Sequence, residues 1–255
     1  MSILNLEALE IEIGGQVVCR NLELDLAPGQ VVGVLGRNGI GKSTLLYTLM
    51  GFRKPVSGRI SLLGNDLSHY SAKETARLIG ILFQENSTEL PASVLETALL
   101  GRHPHNENIL WDNADDIFLV REILNKVGLS ELEQRQVGTL SGGEKQRLTI
   151  AMLIAQKPKL SLLDEPSNHL DIDYQIKSLA LLKENTIKEQ SAIIMASHDI
   201  NLISRFCDKS LLLMENGEFQ YGDTNEILTE EALSAAFKCP IQSIQTGERK
   251  IFFPG

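Results

Sequence analysis

The chain has 255 residues, 43% of them hydrophobic, with 33 acidic against 24 basic side chains and a formal charge of −9. That length admits one large domain or a domain with a subdomain, and enough apolar material for a real core. The acidic balance argues against a nucleic-acid partner, whose affinity comes mainly from cations that neutralise phosphates. It leaves room for one local basic site that binds a nucleotide. Cys19, Cys207 and Cys239 are too few and too scattered for a disulfide framework or a zinc site, so a reduced, cytoplasmic setting is expected. Residues Met1 to Glu7 show no basic segment leading into an apolar one, so no signal peptide is expected. No run reaches about 18 consecutive apolar residues, so any membrane role is expected to pass through a partner.

Leu4, Leu6 and Ala8, then Leu9, Ile11 and Ile13, alternate in the manner of a half-buried strand. Gly14-Gly15 turns the chain, and Leu22, Leu24 and Leu26 alternate with Glu23 and Asp25 up to Pro28-Gly29. An antiparallel β region is therefore expected ahead of the apolar run Val31–Leu35, which reads as a buried strand. Directly after it stands GRNGIGKST, Gly36 to Thr44, followed by the helix-like stretch Thr44–Met50. This fits G-x-x-x-x-G-K-[ST] between a strand and a helix, the setting that a phosphate-binding loop requires. Glycines let backbone N–H groups close around a polyphosphate, because a Cβ would block the approach. Lys42 is expected to reach the β/γ-phosphates, and the Ser43 hydroxyl to ligate Mg²⁺.

Further along, Arg59–Leu63 and Ile79–Phe83 read as strands, the second ending at Gln84. From Glu85 to about Pro158 the pattern turns helical, with Ile117, Val120, Ile123, Leu124 and Val127 at helical spacing before Gly128. This block reads as a helical insertion. Strands resume at Leu160–Leu163 and Ala192–Ala196, each followed by a helix, and that alternation implies a parallel sheet. Leu211–Met214 and Phe219–Tyr221 flank an Asn216-Gly217 hairpin signal. A helix from about Thr224 to Phe237 and a short tail to Gly255 are expected to close the chain.

Three further constellations carry chemistry. The strand at 160–163 ends in Asp164-Glu165, and ligands sit at the carboxyl ends of parallel strands. Asp164 is suited to hold Mg²⁺ and Glu165 to take the proton of an attacking water. Ser141 and Glu144 form a capping box that opens a helix running to Gln156. The cap does not require Gly142-Gly143, whose missing side chains would admit a second phosphate at a helix start. His198 follows the strand at 192–196, again at a carboxyl end. His103-Pro104-His105 lacks a third ligand, so a metal there is not expected.

Together these pieces resemble the ABC (ATP-binding cassette) ATPases along essentially the whole chain. Gly36–Thr44 matches the Walker A loop, Gln84 the Q-loop glutamine, Leu140–Glu144 the signature, Leu160–Glu165 Walker B, Ser167–Asp171 the D-loop and His198 the switch histidine. The resemblance implies an α/β P-loop NTPase fold, with a RecA-like parallel sheet, an antiparallel β subdomain and an inserted helical subdomain. One domain is expected over 1–255, its core formed by 1–84 and 159–255 and its helical subdomain by 85–158. It implies ATP held by Gly36, Asn38, Gly39, Gly41, Lys42, Ser43 and Thr44, and Mg²⁺ held by Ser43, Gln84 and Asp164. Glu165, His198, Gln84 and Lys42 would be catalytic. A head-to-tail homodimer is implied, in which Ser141 and Gly143 of one subunit complete the site of the other.

The sequence departs from the family at Ile13, where an aromatic commonly stacks on adenine; no aromatic occurs before Tyr47. Within the family, Leu99–His105 and Asp164–Ile172 look most like importer ATPases for metal chelates: ferric siderophores, haem, cobalamin or molybdate. The expected partners are integral membrane permease subunits and, indirectly, a substrate-binding protein. The expected location is peripheral, on the cytoplasmic face of the membrane. Two rivals remain at this point: a soluble ABC ATPase of the iron–sulfur assembly type, and an exporter subunit.

Overall fold

The computed structural model describes residues 2–83, 91–105, 113–247 and 249–255. In chain order the elements are β1 (Leu4–Ile13), β2 (Gln16–Leu26), β3 (Val31–Leu35), α1 (Lys42–Leu49), β4 (Ser57–Leu62), β5 (Asn65–Asp66), α2 (Ala72–Leu78) and β6 (Ile79–Leu82). Then come α3 (Val94–Leu99), α4 (Ala114–Lys126), α5 (Gly142–Gln156), β7 (Leu160–Asp164), α6 (Ile172–Lys188), β8 (Ala192–Ala196), α7 (Ile200–Phe206), β9 (Lys209–Leu213) and β10 (Phe219–Asp223). The chain ends in α8 (Thr224–Ile227), α9 (Glu230–Phe237), β11 (Ile241–Thr246) and β12 (Arg249–Pro254). No helix among the described residues is long and apolar enough to cross a membrane.

Two main sheets form. One is antiparallel, β2-β1-β4-β5; the other is six-stranded, β10-β9-β3-β8-β7-β6, parallel except for the β9–β10 hairpin. The phase change in the first strand's alternation, between Ala8 and Leu9, becomes a β-bulge. Ala8 adopts φ 47, the register with β2 and β4 shifts there, and the freed Ala8 N–H donates to Glu23 Oε1 at 2.8 Å. Bulges of this kind bend the strand locally.

The central strands β3, β8 and β7 are buried along their whole length, which is why they are mostly apolar, with Ser161 and Asp164 the polar residues of β7. Along β3 and β8, successive residues alternate between two cores. Val31, Leu35, Ile193 and Met195 face the helices, while Val32, Val34, Ile194 and Ala196 face α1 and the antiparallel sheet. The helices α3, α4 and α5 pack on one another and share the first of these cores.

Two expectations are corrected. The single helix expected over 224–237 is broken into α8 and α9, because the Thr229 hydroxyl accepts the Ala232 N–H and so caps a new helix start. The tail expected after it is an antiparallel hairpin, β11–β12, whose Phe252 is buried against the rest of the fold. Its strand β12 docks on α7, where the Asn201 amide accepts the Phe252 N–H at 2.8 Å and donates to the Phe252 carbonyl at 3.0 Å.

Candidate functional site

Three neighbouring strands of the parallel sheet, β3, β8 and β7, end at the same edge. From their ends emerge Gly36–Gly41, Ser197-His198 and Asp164-Glu165. The sheet thus gathers at one edge residues far apart in sequence, in the crevice where α/β folds place ligands.

The loop after β3 turns on glycines with positive φ: Gly36 at 149°, Gly39 at 80° and Gly41 at 111°. At Gly41 the need is double, since a Cβ there would also stand 2.5 Å and 2.7 Å from the Val18 methyls on β2. Asn38 and Gly39 are exposed on the loop, Thr44 is buried and Ser43 half-buried at the start of α1. Gly41 caps α1 without a side chain, and no acidic residue sits in the first turn. The first amides and the positive end of the helix dipole are left to an anion. Lys42 is buried and folds back over its loop, donating to the carbonyls of Gly36 (2.8 Å) and Arg37 (3.3 Å). Burial pushes its ammonium below the usual lysine range, against the opposing pull of Glu165 and Asp164. The two acids therefore lie within electrostatic reach of the loop's lysine.

Asp164 and Glu165 are buried. The side chains of the Glu165–His198 pair are 6% and 61% exposed respectively, so a shielded carboxylate meets an imidazole open to solvent. His198 Nδ1 lies 2.9 Å from Glu165 Oε1, and the Ser197 hydroxyl donates to Oε2 at 3.3 Å. A carboxylate has about four lone-pair sites, so these two contacts orient it and leave others open. Glu165 itself is held in the left-handed region, φ 50, and its N–H donates to Ala196 O on β8 at 2.9 Å. Asp199 in turn caps α7, accepting from the N–H groups of Asn201 and Leu202. Ser43 and Asp164 offer hard oxygen donors beside the glycine cradle, a set whose chemistry fits Mg²⁺.

The capping box of Ser141 and Glu144 forms as expected: Glu144 N donates to Ser141 Oγ at 3.3 Å, and Ser141 N to Glu144 Oε2 at 2.7 Å. The Ser141 backbone N–H and then its hydroxyl hold the Glu144 carboxyl below the usual range. Gly142 and Gly143 have a use within the same chain that the sequence reading did not assign. A Cβ on Gly143 would stand 3.2 Å from the His169 carbonyl, and one on Gly142 would stand 3.6 Å from His169 Cβ. Gly143 thus lets the loop after Glu165 lie close against the start of α5, while a side chain at Gly142 would meet only ordinary van der Waals contact.

Ile13 is 37% exposed at the end of β1. Tyr47, the first aromatic in the chain, packs instead with Phe83, ring centroids 5.8 Å apart. Gln84 lies outside the described residues. His105 places Nε2 2.7 Å from the Gln156 carbonyl, and no cluster of metal-ligating residues occurs among the described residues. Sequence reasoning missed Ser197, whose only signal was its place before His198.

A family model described as ABC transporter matches residues 19–168. The cobalamin import ATP-binding protein BtuD of Halobacterium salinarum (strain ATCC 29341) is 32% identical over 92% of this chain, which spans 58% of that relative's length. The ferric enterobactin transport ATP-binding protein FepC of Escherichia coli K12 is 35% identical over 91% of this chain and 85% of its own. Among solved structures, a metal-chelate type ABC transporter in an inward-facing conformation has a TM-score of 0.85 at 32% identity, covering 100% of this chain and 98% of that one. The cbiO1 protein of Clostridium perfringens, part of the transporter complex cbiONQ, has a TM-score of 0.77 at 30% identity over 91% and 92% of the two chains. The family model runs from β2 to just past Glu165, over more than half of the chain; with the phosphate loop and buried acids at one sheet edge, this chain belongs to the ABC transporter ATP-binding family.

Proposed function

We propose that this chain is the ATP-hydrolysing subunit of an importer for a metal chelate, such as a ferric siderophore, haem or cobalamin. The observation that carries the enzymatic part is the buried Glu165 carboxylate, held by His198 and Ser197 at the sheet edge that also carries the phosphate loop. In this reading the glycine loop, with Asn38, Gly39 and Thr44, and the N-terminus of α1 cradle the phosphates. Lys42 exchanges its two carbonyl partners for phosphate oxygens. Ser43 and Asp164, with Gln84, would hold Mg²⁺, which neutralises charge on the transferring phosphoryl group when bound. Glu165 accepts the proton of the attacking water, and His198 fixes the carboxylate that does so. Ile13 contributes aliphatic contact to the base.

The remaining parts of the reading concern assembly. Two copies pair head to tail, so that exposed Ser141 and the adjoining Gly143 of one subunit complete the site of the other. The nucleotide-binding core is drawn from 1–84 and 159–255, and the helical segment 85–158 offers the docking surface for a membrane permease. Gln84 links that surface to the γ-phosphate. A substrate-binding protein takes part indirectly, and the subunit works peripherally on the cytoplasmic face of the membrane. The kinship with metal-chelate importers supports the substrate class.

The test is Glu165→Gln, which keeps shape and hydrogen-bonding reach but cannot act as the base. General-base catalysis contributes about 10²–10⁴-fold, so steady-state phosphate release should fall by that order. ATP binding should survive, and the ATP-bound dimer should accumulate on a sizing column. Lys42→Ala should lose binding and dimer together. Near wild-type turnover in Glu165→Gln would sink the assignment. Recovery from detergent extracts with soluble iron–sulfur assembly factors alone, and no multi-spanning membrane protein, would remove the transport reading.

A further inference from the structure

The loop that follows Glu165, residues 166–170, is held in a conformation that its own sequence does not favour. Glu165 (φ 50) and His169 (φ 64) are both left-handed without being glycine. A left-handed residue with a side chain is strained and persists only where its surroundings over-determine it. Within the loop, Asn168 N donates to Glu165 O at 3.2 Å and Leu170 N to Ser167 O at 3.3 Å. Two glutamine side chains from outside supply further restraint. Gln146, buried on α5, donates from Nε2 to the Pro166 carbonyl at 2.9 Å. Gln175 on α6 donates from Nε2 to Leu170 O at 3.0 Å and to Ser167 O at 3.3 Å.

The two helices that carry these amides are tied to each other by the adjacent residues. Arg147 donates to the carbonyls of Val127 (2.9 Å) and Gly128 (2.8 Å) at the end of α4. Its guanidinium also lies 4.2 Å from the ring centroid of Tyr174, next to Gln175. On the same helix face as Gln146, the bland choice for packing would be apolar, as at Leu153 and Ile150. An amide buried there serves packing less well than an aliphatic chain would, because it must find partners to offset its desolvation.

We propose that Gln146 and Gln175 are positioning residues for hydrolysis. Their amides clamp the 166–170 loop from two helices and so fix the Glu165 carboxylate against His198 and Ser197. Through Gln146 the clamp also ties that carboxylate to α5, whose N-cap is Ser141 and whose first turn holds Gly143. The inference rests on the reading of Glu165 as proton acceptor. Without the amides the loop loses its anchors at Pro166, Ser167 and Leu170, next to the left-handed Glu165 and His169, and the carboxylate moves. A misplacement of about 1 Å costs on the order of 10²-fold in a well-aligned reaction.

The experiment uses Gln175→Met and Gln146→Met, which keep length and bulk without a donor, and Gln175→Asn, too short to reach either carbonyl. Each is made in wild type and in Glu165→Gln, and single-turnover ATP hydrolysis is measured with nucleotide Kd and Tm. The expected result is a loss of roughly 10- to 100-fold in hydrolysis, with Kd changed by less than about twofold. In Glu165→Gln the same substitutions should cost nothing further, because residues acting as a unit are not additive. Equal fold losses in both backgrounds would show a general structural effect and overturn the proposal. So would wild-type turnover in the three glutamine variants while Glu165→Gln is inactive, which leaves the base intact. Full activity of Glu165→Gln alone would instead overturn the base.

Discussion

Replacing Gly41 by alanine separates two demands that meet at one backbone position. Gly41 has φ 111 and ψ 15 as the N-cap of α1, a conformation that costs a residue with a side chain about 1–3 kcal/mol. The new Cβ would also press on Val18, 2.5 Å and 2.7 Å from its two methyls. Val18 is fully buried and β-branched, so it cannot swing aside, and overpacking adds about 1–3 kcal/mol. The sum is about 2–6 kcal/mol, and in a chain of this size each kcal/mol lowers Tm by about 2–4 °C. Gly41→Ala should therefore melt roughly 5–20 °C below wild type. Adding Val18→Ala removes the methyls but not the backbone cost. The double variant should recover only the overpacking part, a coupling of about 1–3 kcal/mol between the two sites. The assay is thermal and urea denaturation of the four proteins of the cycle. A loss below about 0.5 kcal/mol in Gly41→Ala, within the range of ordinary surface changes, would refute the reasoning, as would strict additivity.

Base selectivity should be weak, since stacking worth about 1–3 kcal/mol per base is absent at Ile13. GTP should compete with ATP within about tenfold and Ile13→Tyr should tighten ATP binding; an ATP preference of several hundredfold in a competition titration would place the contacts elsewhere. Glu144 is held below its ordinary value of 4.5 by Ser141, so its contribution to stability is full above that value and is lost as pH falls through the lower folded-state pKa. The stability gap between wild type and Glu144→Gln should narrow from about pH 6 to about pH 3; a gap that widens on acidification would reverse the sign. Burial pushes the Cys19 thiol up to about 11 and raises Cys207 further, while Cys239 is exposed. At about pH 8 a thiol reagent should label one cysteine in the native chain and all three after denaturation.

The fold was legible where one physical signal dominated. Alternation set β1 and β2, and largely apolar runs set β3, β7 and β8. The phosphate loop was legible because its spacing answers a ligand's geometry rather than the packing of this chain. Thr229 was missed because Leu228 and Leu233 keep the apolar content high on both sides of the break, and one hydroxyl cap interrupts the helix. The closing hairpin was missed because β11 exposes most of its residues, so its pattern is faint without the partner strand. Ser197, Gln146 and Gln175 were silent for another reason. Each contacts a residue brought near by the sheet or by helix packing, and no local spacing encodes that.

The strand order has a consequence for how the chain is born. β3 pairs with β8 and β9 alone, and its first bridge joins Val31 to Ile193. At about 5–20 residues per second, synthesis needs roughly ten to thirty seconds to travel from one to the other. Throughout that interval a strand destined to be wholly buried waits without a hydrogen-bonding neighbour. The β1–β2–β4 sheet, by contrast, has all its strands by Leu62 and forms early. The sheet edge that gathers the loop after β3 with Ser197-His198 and Asp164-Glu165 is therefore completed only when the last quarter of the sequence arrives. A product terminated before Ala192 lacks both strands that pair with β3 and should leave that apolar strand as an unpaired, aggregation-prone edge.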